Sequence, residues 1–370
     1  MSSSTSIVML AAGGTGGHLF PAYALAEELG RRGYTVDLAT DMRGDRYGTG
    51  FPARKIHQLP AATLTGRSLV NVLRTAATMA RGIAAARRVM SETRPAVVVG
   101  FGGYPSFAPL VAARLAGIPT ALHEQNAVLG RANRLLARAV SAIATSFPTV
   151  KLLEGAAARK AHFTGNPVRT QVVAAARPLY GQPDAGGPLR LVVFGGSQGA
   201  RVFADIVPQA VAQLSFATKV RLSVVQQARE EDMERVRQAY AAAGVRAELA
   251  PFFRDLPERL ATAHLVIGRA GASTIAELTV LGRPSILVPL PHALDADQLQ
   301  NAIHLADAGG ALCIEQKDFT PERLTAELVK LFDAPQVLET MAEAAQSQGR
   351  PDAVARLADL VADLIAKRVK

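Results

Sequence analysis

Short apolar runs alternate with longer stretches of mixed polarity along most of the chain. In the first half, residues 7–12, 35–40, 96–100, 120–123 and 142–145 read as buried strands, with apolar residues at helical spacing between them. In the second half the strands fall at 191–194 and near 220–225, 246–249, 265–267, 285–288 and 311–314. Regular strand–helix alternation predicts an α/β class with parallel sheets built from βαβ units. Two segments add to the pattern. Residues 66–90 read as a loop tip followed by a helix carrying Leu69, Val70, Val72, Leu73 and Ile83 among arginines. After Gly349-Arg350-Pro351 comes a helix with Val354, Leu357, Leu360, Val361, Leu364 and Ile365 on one stripe, which must pack on another element.

The first strand breaks into Gly13-Gly14-Thr15-Gly16-Gly17-His18 before a helix begins. Glycines let the backbone turn tightly, and the helix aims its free N–H groups and positive dipole end at the turn, an arrangement suited to phosphate. The lysine of a Gly-x-x-x-x-Gly-Lys-Ser/Thr loop is missing, and Leu19 stands where a dinucleotide fingerprint has its third glycine. Taken alone, the corner is equally a packing turn. The pattern returns 182 residues later, where Leu191-Val192-Val193-Phe194 runs into Gly195-Gly196-Ser197-Gln198-Gly199-Ala200. The duplication predicts two similar Rossmann-like domains, with Gly165-Asn166-Pro167-Val168-Arg169 as hinge and a Pro/Gly-rich connector at 177–188.

Other polar clusters follow strands, where open α/β sheets bind ligands. Gly100-Phe101-Gly102-Gly103-Tyr104 is a further glycine corner. His123-Glu124-Gln125-Asn126, with Gly130 and Asn133 behind it, has little structural reason to follow a buried strand. Gly268-Arg269-Ala270-Gly271-Ala272-Ser273-Thr274 leads into a helix carrying Glu277. Asp295, Asp297, Gln298 and Asn301 open another helix, where the two aspartates read either as hydroxyl-binding groups or as caps.

Charge changes the picture once it is located. Residues 1–167 hold 19 Lys+Arg against 8 Asp+Glu, and the remainder holds 22 against 23, so the whole net charge of +10 belongs to the first half. Between Arg46 and Ser91 there is no acid but Arg46, Arg54, Lys55, Arg67, Arg74, Arg81, Arg87 and Arg88. Such a field points to an anionic partner. The arginine-rich helix after Gly66 reads either as core or as a basic amphipathic element resting on anionic lipid. A single cysteine, Cys313, excludes an internal disulfide and a multi-cysteine metal site. The polar start lacks a signal-peptide pattern, and the longest apolar passage, 107–122, is broken by Arg114 and Pro119, so no membrane-spanning helix is expected.

Taken together and in order, the three glycine corners, His123-Glu124-Gln125-Asn126, Gly165-Asn166-Pro167-Val168-Arg169 and Gly271-Ala272-Ser273-Thr274-Ile275-Ala276-Glu277 resemble the MurG family of bacterial peptidoglycan glycosyltransferases. The resemblance implies a GT-B fold, two Rossmann-like domains with parallel sheets facing across a cleft. It divides the chain into an acceptor and membrane-facing domain (1–167), a UDP-sugar-binding domain (168–345) and a C-terminal helix (346–370) packing back on the first domain. It implies an inverting, metal-independent transfer of N-acetylglucosamine from UDP-N-acetylglucosamine to the 4-OH of the muramyl sugar of lipid I, giving lipid II for cell-wall synthesis. The enzyme is then peripheral on the anionic cytoplasmic leaflet of the inner membrane, with no cofactor. Carried over by position, donor contacts fall on Thr15, Gly16, Gly17, Asn126, Arg169, Ser197, Phe253, Ala272, Ser273, Thr274, Ile275, Ala276, Glu277 and Gln298, with Glu277 on the ribose. Gly102, Gly103, Tyr104, Asn133, Arg269 and Asn301 belong to the acceptor site or cleft. Ala204 departs from the asparagine common in relatives, and Phe253 from an aliphatic residue.

The chemistry requires a base for the acceptor hydroxyl, and histidine has the right unperturbed pKa, about 6.5. His18 is the first candidate, with helix capping or pyrophosphate binding as its other reading; His123 and Glu124 are alternatives. Two rivals from other classes are a nicotinamide-dependent oxidoreductase, with Asp37 as its ribose acid, and a nucleic-acid-binding module. The first lacks the third glycine and the second lacks aromatic platforms and a groove-reading motif. A UDP-sugar epimerase is a third reading within the same fold. The sequence sets no oligomeric state.

Overall fold

The computed structural model describes residues 6–13, 16–41, 50–61, 68–177, 179–184, 186–196, 199–291 and 293–369. The chain divides into two compact units, Met1–Arg169 with Pro351–Lys370, and Thr170–Arg350. Two Rossmann-like units with parallel sheets make this a GT-B fold.

In the first unit the chain runs through β1 (Ile7–Ala11), α1 (Gly16–Arg31), β2 (Thr35–Thr40), β3 (Lys55–Gln58), α2 (Leu69–Thr93), β4 (Val97–Gly100), α3 (Gly103–Leu115), β5 (Thr120–Glu124), α4 (Arg131–Leu136), β6 (Ala142–Thr145), α5 (Gly155–Ala158) and β7 (Ala161–Phe163). The seven strands are parallel, in the order β3-β2-β1-β4-β5-β6-β7. Sequence pattern finds five of them and misses both edges. Strand β3 reads Lys-Ile-His-Gln, its one aliphatic side chain is 46% exposed, and no apolar alternation betrays it. It is held instead by charge. Asp37, buried within β2, accepts from Arg54 Nε at 2.9 Å and Nη2 at 2.7 Å, and lies 3.1 Å from His57 Nε2. The ribose-binding role that the oxidoreductase rival required of Asp37 is therefore overturned, because the carboxylate lies inside the sheet with its oxygens engaged.

The second unit contains α6 (Thr170–Ala175), β8 (Leu189–Phe194), α7 (Arg201–Ala212), α8 (Phe216–Arg221), β9 (Leu222–Gln227), α9 (Glu230–Ala243), β10 (Arg246–Ala250), α10 (Leu256–Thr262), β11 (Leu265–Gly268), α11 (Ala272–Leu281), β12 (Ser285–Leu287), α12 (Asp297–Asp307), β13 (Ala311–Cys313), α13 (Pro321–Phe332) and α14 (Pro335–Gln348). Its six parallel strands lie in the order β10-β9-β8-β11-β12-β13. Val220 and Arg221, expected to begin a strand, instead end α8. Ser215 caps that turn by accepting the Thr218 N–H at 3.2 Å.

Both sheets reverse their winding at the same place, between β1 and β4 and between β8 and β11. The crevice at such a switch point, beyond the carboxyl ends of the strands, is where ligands bind in this architecture. The first crevice is flanked by the corners after β1 and β4, the second by the corner at Gly195 and the loop 268–271.

The last helix, α15 (Ala353–Val369), belongs to the first unit, where it packs on α1 and β4. Leu357 and Val361 are wholly buried in one cluster with Val8, Leu25 and Val97. Arg32 pairs with Asp359 at 2.6 Å, and Arg368 donates to the Pro95 carbonyl at 2.8 Å. Helix α2 lies on α3, and Gly82 lets it also approach the chain after β3: a Cβ there would sit 2.3 Å from the Pro60 carbonyl oxygen and 3.3 Å from Ala108 Cβ on α3. Towards its N-terminus α2 exposes Leu73, Arg74 and Arg81. Among the described residues no helix is long and apolar enough to cross a membrane.

Candidate active site

In the first unit the loops after β1 and β4 meet. Gly13 has no room for a side chain, since a Cβ would lie 2.9 Å from both Asp41 Oδ1 and Thr40 Oγ1. His18 stands in the first turn of α1. Gly102 and Gly103, at φ 83° and 69°, start α3 directly against its ring. A Cβ on Gly102 would be 3.4 Å from His18 Cε1, and one on Gly103 3.5 Å from His18 Nε2. The N-terminal turns of two helices thus converge on one imidazole. No side chain caps α3, so the N–H groups of Gly103 and Tyr104 and the positive end of that helix are available to an anion. Gly16 and Gly17 open α1 in the same place, with Gly17 exposed.

Behind His18 runs a string of polar groups whose hydrogens can be assigned. Gln125 Nε2 is 2.9 Å from the Phe101 carbonyl and 3.0 Å from His123 Nδ1, and Gln125 Oε1 is 3.2 Å from His18 Nδ1. His123 Nε2 is 3.2 Å from the Gly165 carbonyl. Burial, only partly opposed by that hydrogen bond, lowers the His123 pKa to about 4, so the ring is neutral near pH 7.

His123 and Glu124 were alternative bases, and the structure buries both. His123 is 0% exposed and Glu124 1%, so neither has a surface on which a substrate can sit. Glu124 is a tie for the following loop: Oε1 accepts from the Asn126 N–H at 3.0 Å, and Oε2 from the Gly130 N–H at 2.9 Å and Asn133 Nδ2 at 2.7 Å. Burial raises its pKa against the pull of those donors. Asn133 is buried between Glu124 and Gly102, while Asn126 is half-buried. Arg169 holds its guanidinium 5.2 Å from the Phe20 ring on α1.

In the second unit the corner after β8 is tighter still. A Cβ on Gly195 would meet the Ala200 nitrogen at 2.3 Å. Gln227, at the end of β9, accepts from the Gly195 N–H at 2.9 Å and donates to the carbonyls of Gly196 at 3.0 Å and Pro251 at 3.1 Å. One amide therefore couples the glycine corner to the loop carrying Phe253. The Phe253 ring is covered by the Arg259 guanidinium at 4.5 Å, which leaves the backbone as the part of this loop that can recognise a ligand. Ala204 lies in the core of α7, and burial accounts for an apolar residue there.

At α11 the N-cap is Gly271 with no side-chain cap, and the first helical bond is Ile275 N–H to the Gly271 carbonyl at 3.0 Å. Ala272, Ser273 and Thr274 thus present N–H groups outside the helical ladder. The Ile275 N–H is engaged with the Gly271 carbonyl and its side chain is buried. Ala276 and Glu277 follow in the same helix, Glu277 at 7% exposure. Arg269 and Asn301 bond to the backbone around this loop. Arg269 donates to the carbonyls of Val288 at 3.0 Å and Pro289 at 3.1 Å and to Gln316 at 2.6 Å, and burial lowers its pKa. Asn301, wholly buried, donates to the Ala270 carbonyl at 3.0 Å. Both hold the 269–271 loop in shape. Gln298 accepts the Leu290 N–H at 3.0 Å, and Asp297 accepts the N–H of Gln298 at 2.8 Å. Thr15 and Ser197 lie outside the described residues.

The expected site residues therefore form two clusters, one in each unit. Gln125 was read only as one of the four polar residues of the 123–126 run, with no role of its own, and Gln227 was not singled out from sequence. Their only signal was an amide directly beyond a buried apolar strand.

Residues 8–145 match the model of the glycosyltransferase family 28 N-terminal domain, and residues 190–357 that of its C-terminal domain. A protein of Nitrobacter hamburgensis named "UDP-N-acetylglucosamine--N-acetylmuramyl-(pentapeptide) pyrophosphoryl-undecaprenol N-acetylglucosamine transferase" is 52% identical over 359 residues, 97% of each chain. A protein of the same name from Rhodopseudomonas palustris is 54% identical over 355 residues, 96% of this chain and 95% of its own. The crystal structure of Acinetobacter baumannii MurG superposes with a TM-score of 0.80 at 30% identity, covering 97% of this chain and 99% of that one.

Proposed function

The chain belongs to glycosyltransferase family 28, and from that membership and the two clusters we infer that it transfers N-acetylglucosamine from UDP-N-acetylglucosamine to lipid I, forming lipid II. The observation that carries the chemistry is the convergence of two helix N-terminal turns on the imidazole of His18.

We propose that His18 Nε2 takes the proton of the muramyl 4-OH. As that oxygen bonds to the anomeric carbon from the face opposite the leaving group, the bond from carbon to the phosphate oxygen breaks. UDP departs with the electron pair, giving an inverted β-1,4 link. Amides of Gly103 and Tyr104 would hold the acceptor pyrophosphate, and Gly16 and Gly17 at the start of α1 would contact the donor. In the second unit, the corner at Gly195 and the amides of Ala272 to Thr274 would take the charge of the departing UDP, preorganised donors in place of a metal ion. Glu277 would accept from ribose hydroxyls, and the backbone at Phe253 would read the uracil.

The acceptor is lipid-linked, which gives the charge of the first half a purpose. We propose that Leu73 of α2 rests on the anionic cytoplasmic leaflet of the inner membrane with Arg74 and Arg81 beside it, so that the enzyme is peripheral.

The test is transfer of labelled N-acetylglucosamine to a lipid I analogue with EDTA present and UDP-glucose as control donor. Transfer from the N-acetylglucosamine donor alone supports donor, acceptor and metal independence together. Donor binding without transfer to any muramyl lipid would remove the acceptor assignment and leave the fold standing.

A further inference from the structure

We propose that Gln125 is a positioning residue that sets the tautomer of His18, making Nε2 the basic nitrogen. The inference rests on the reading of His18 as base and adds the group that prepares it.

The hydrogens follow from the far end of the string. A carbonyl only accepts, so the Gly165 carbonyl at 3.2 Å requires the proton of neutral His123 on Nε2. His123 Nδ1 is then a lone pair, and Gln125 Nε2 donates to it at 3.0 Å. The second hydrogen of the same amide goes to the Phe101 carbonyl at 2.9 Å. Both contacts would be repulsive if the amide were turned over, so its oxygen must face His18. Oε1 accepts only, and His18 Nδ1, 3.2 Å away, must donate. The proton is thereby held on Nδ1, and the lone pair is on Nε2, the nitrogen that faces Gly103 at the start of α3.

An amide does this without adding charge. Among the described residues, the titratable groups of this corner are His123, neutral behind Gln125; Glu124, whose Oε2 accepts from Asn133; Asp41 beside Gly13; and Arg169, stacked on Phe20. A carboxylate in place of Gln125 would accept the same hydrogen bond and favour the imidazolium.

Three measurements on the full-length protein test this. First, nitrogen-detected imidazole spectra of the wild-type protein at pH 8 should show His18 protonated on Nδ1 and unprotonated on Nε2. The opposite tautomer overturns the proposal, whatever the variants do. Second, Gln125→Glu, checked for folding by circular dichroism, should move the acid limb of the kcat profile up by about one pH unit or more; an unchanged limb in folded protein overturns the proposal. Third, Gln125→Met should lower kcat roughly tenfold while leaving the KM for UDP-N-acetylglucosamine unchanged, and an equal rise in KM would mark a merely structural role. His18→Gln separates the two levels. If that variant keeps wild-type kcat, the base reading fails; if it is inactive while both Gln125 variants behave as wild type, only the present inference fails.

Discussion

Replacing Gly195 by alanine tests the donor site at its tightest point. The added Cβ would lie 2.3 Å from the Ala200 nitrogen, 2.5 Å from the Gly199 carbonyl carbon and 2.7 Å from the Ala200 Cβ. Two of the three are backbone atoms, which cannot swing aside as a flexible side chain would. Contact at an ordinary 3.4 Å requires the corner and the start of α7 to part by about 1 Å, a displacement that costs on the order of a hundredfold when it misplaces a reacting group. The Gly195 N–H would also be pulled from Gln227, which ties the corner to the Phe253 loop. Gly196→Ala is the matched control: no atom of the described residues lies within 4 Å of its Cβ, but φ is 85°, so the cost is backbone strain of about 1–2 kcal/mol. Steady-state kinetics with each substrate varied should show the KM for UDP-N-acetylglucosamine rising at least tenfold in Gly195→Ala, about 1.4 kcal/mol, with the KM for the lipid I analogue unchanged. Gly196→Ala should change donor KM less and lower thermal stability slightly. A folded Gly195→Ala protein with wild-type donor KM would refute the assignment of this corner to the donor pyrophosphate.

Glu124→Gln should cost stability that depends on pH. Burial raises the carboxyl pKa in the folded protein, so the native state binds the proton more tightly than the unfolded chain, and wild-type stability falls as pH rises through the window above the unfolded value. Glutamine escapes that fall, so in urea titrations the deficit of the variant should shrink between pH 4 and pH 7; a constant deficit would show that burial does not govern this group. Leu357→Ala, at a wholly buried site, should lower the unfolding free energy of the first unit by about 2–5 kcal/mol in denaturant titrations, and a loss below 1 kcal/mol would mean that α15 is not part of that core. Arg74→Gln with Arg81→Gln should weaken binding to phosphatidylglycerol vesicles by about 2 kcal/mol, roughly thirtyfold, in flotation at low salt, and unchanged binding would remove α2 from the membrane face.

The α/β class, the glycine corners and the uneven charge were legible because each depends on residues adjacent in the chain. A buried parallel strand needs a continuous apolar run, and a tight turn into a helix needs glycine whatever the rest of the molecule does. Strand β3 escaped because its neighbour holds it through buried Asp37 with Arg54 and His57, a constraint that no local pattern carries. Helix α8 displaced the start of β9 because one serine cap outweighed the apolar look of Val220.

Within the candidate site the division has the same cause. Sequence identified polar groups after buried strands, but which of them face a ligand depends on burial and on partners far away in the chain. His123, Glu124, Arg269, Asn301 and Ile275 are wholly or largely buried, and the four polar side chains among them bond to backbone or side chains around them. Gln125, one of four polar residues in a run, meets His18 across 107 positions of sequence. The striped C-terminal helix had to bury one face, and only the folded first unit decided that α1 and β4 would cover it. Strand order, too, was invisible in sequence, because hydrogen bonds between parallel strands leave no mark in either strand alone; it set two glycine corners side by side at the switch point of the first unit, and the Gly195 corner beside the 268–271 loop at that of the second.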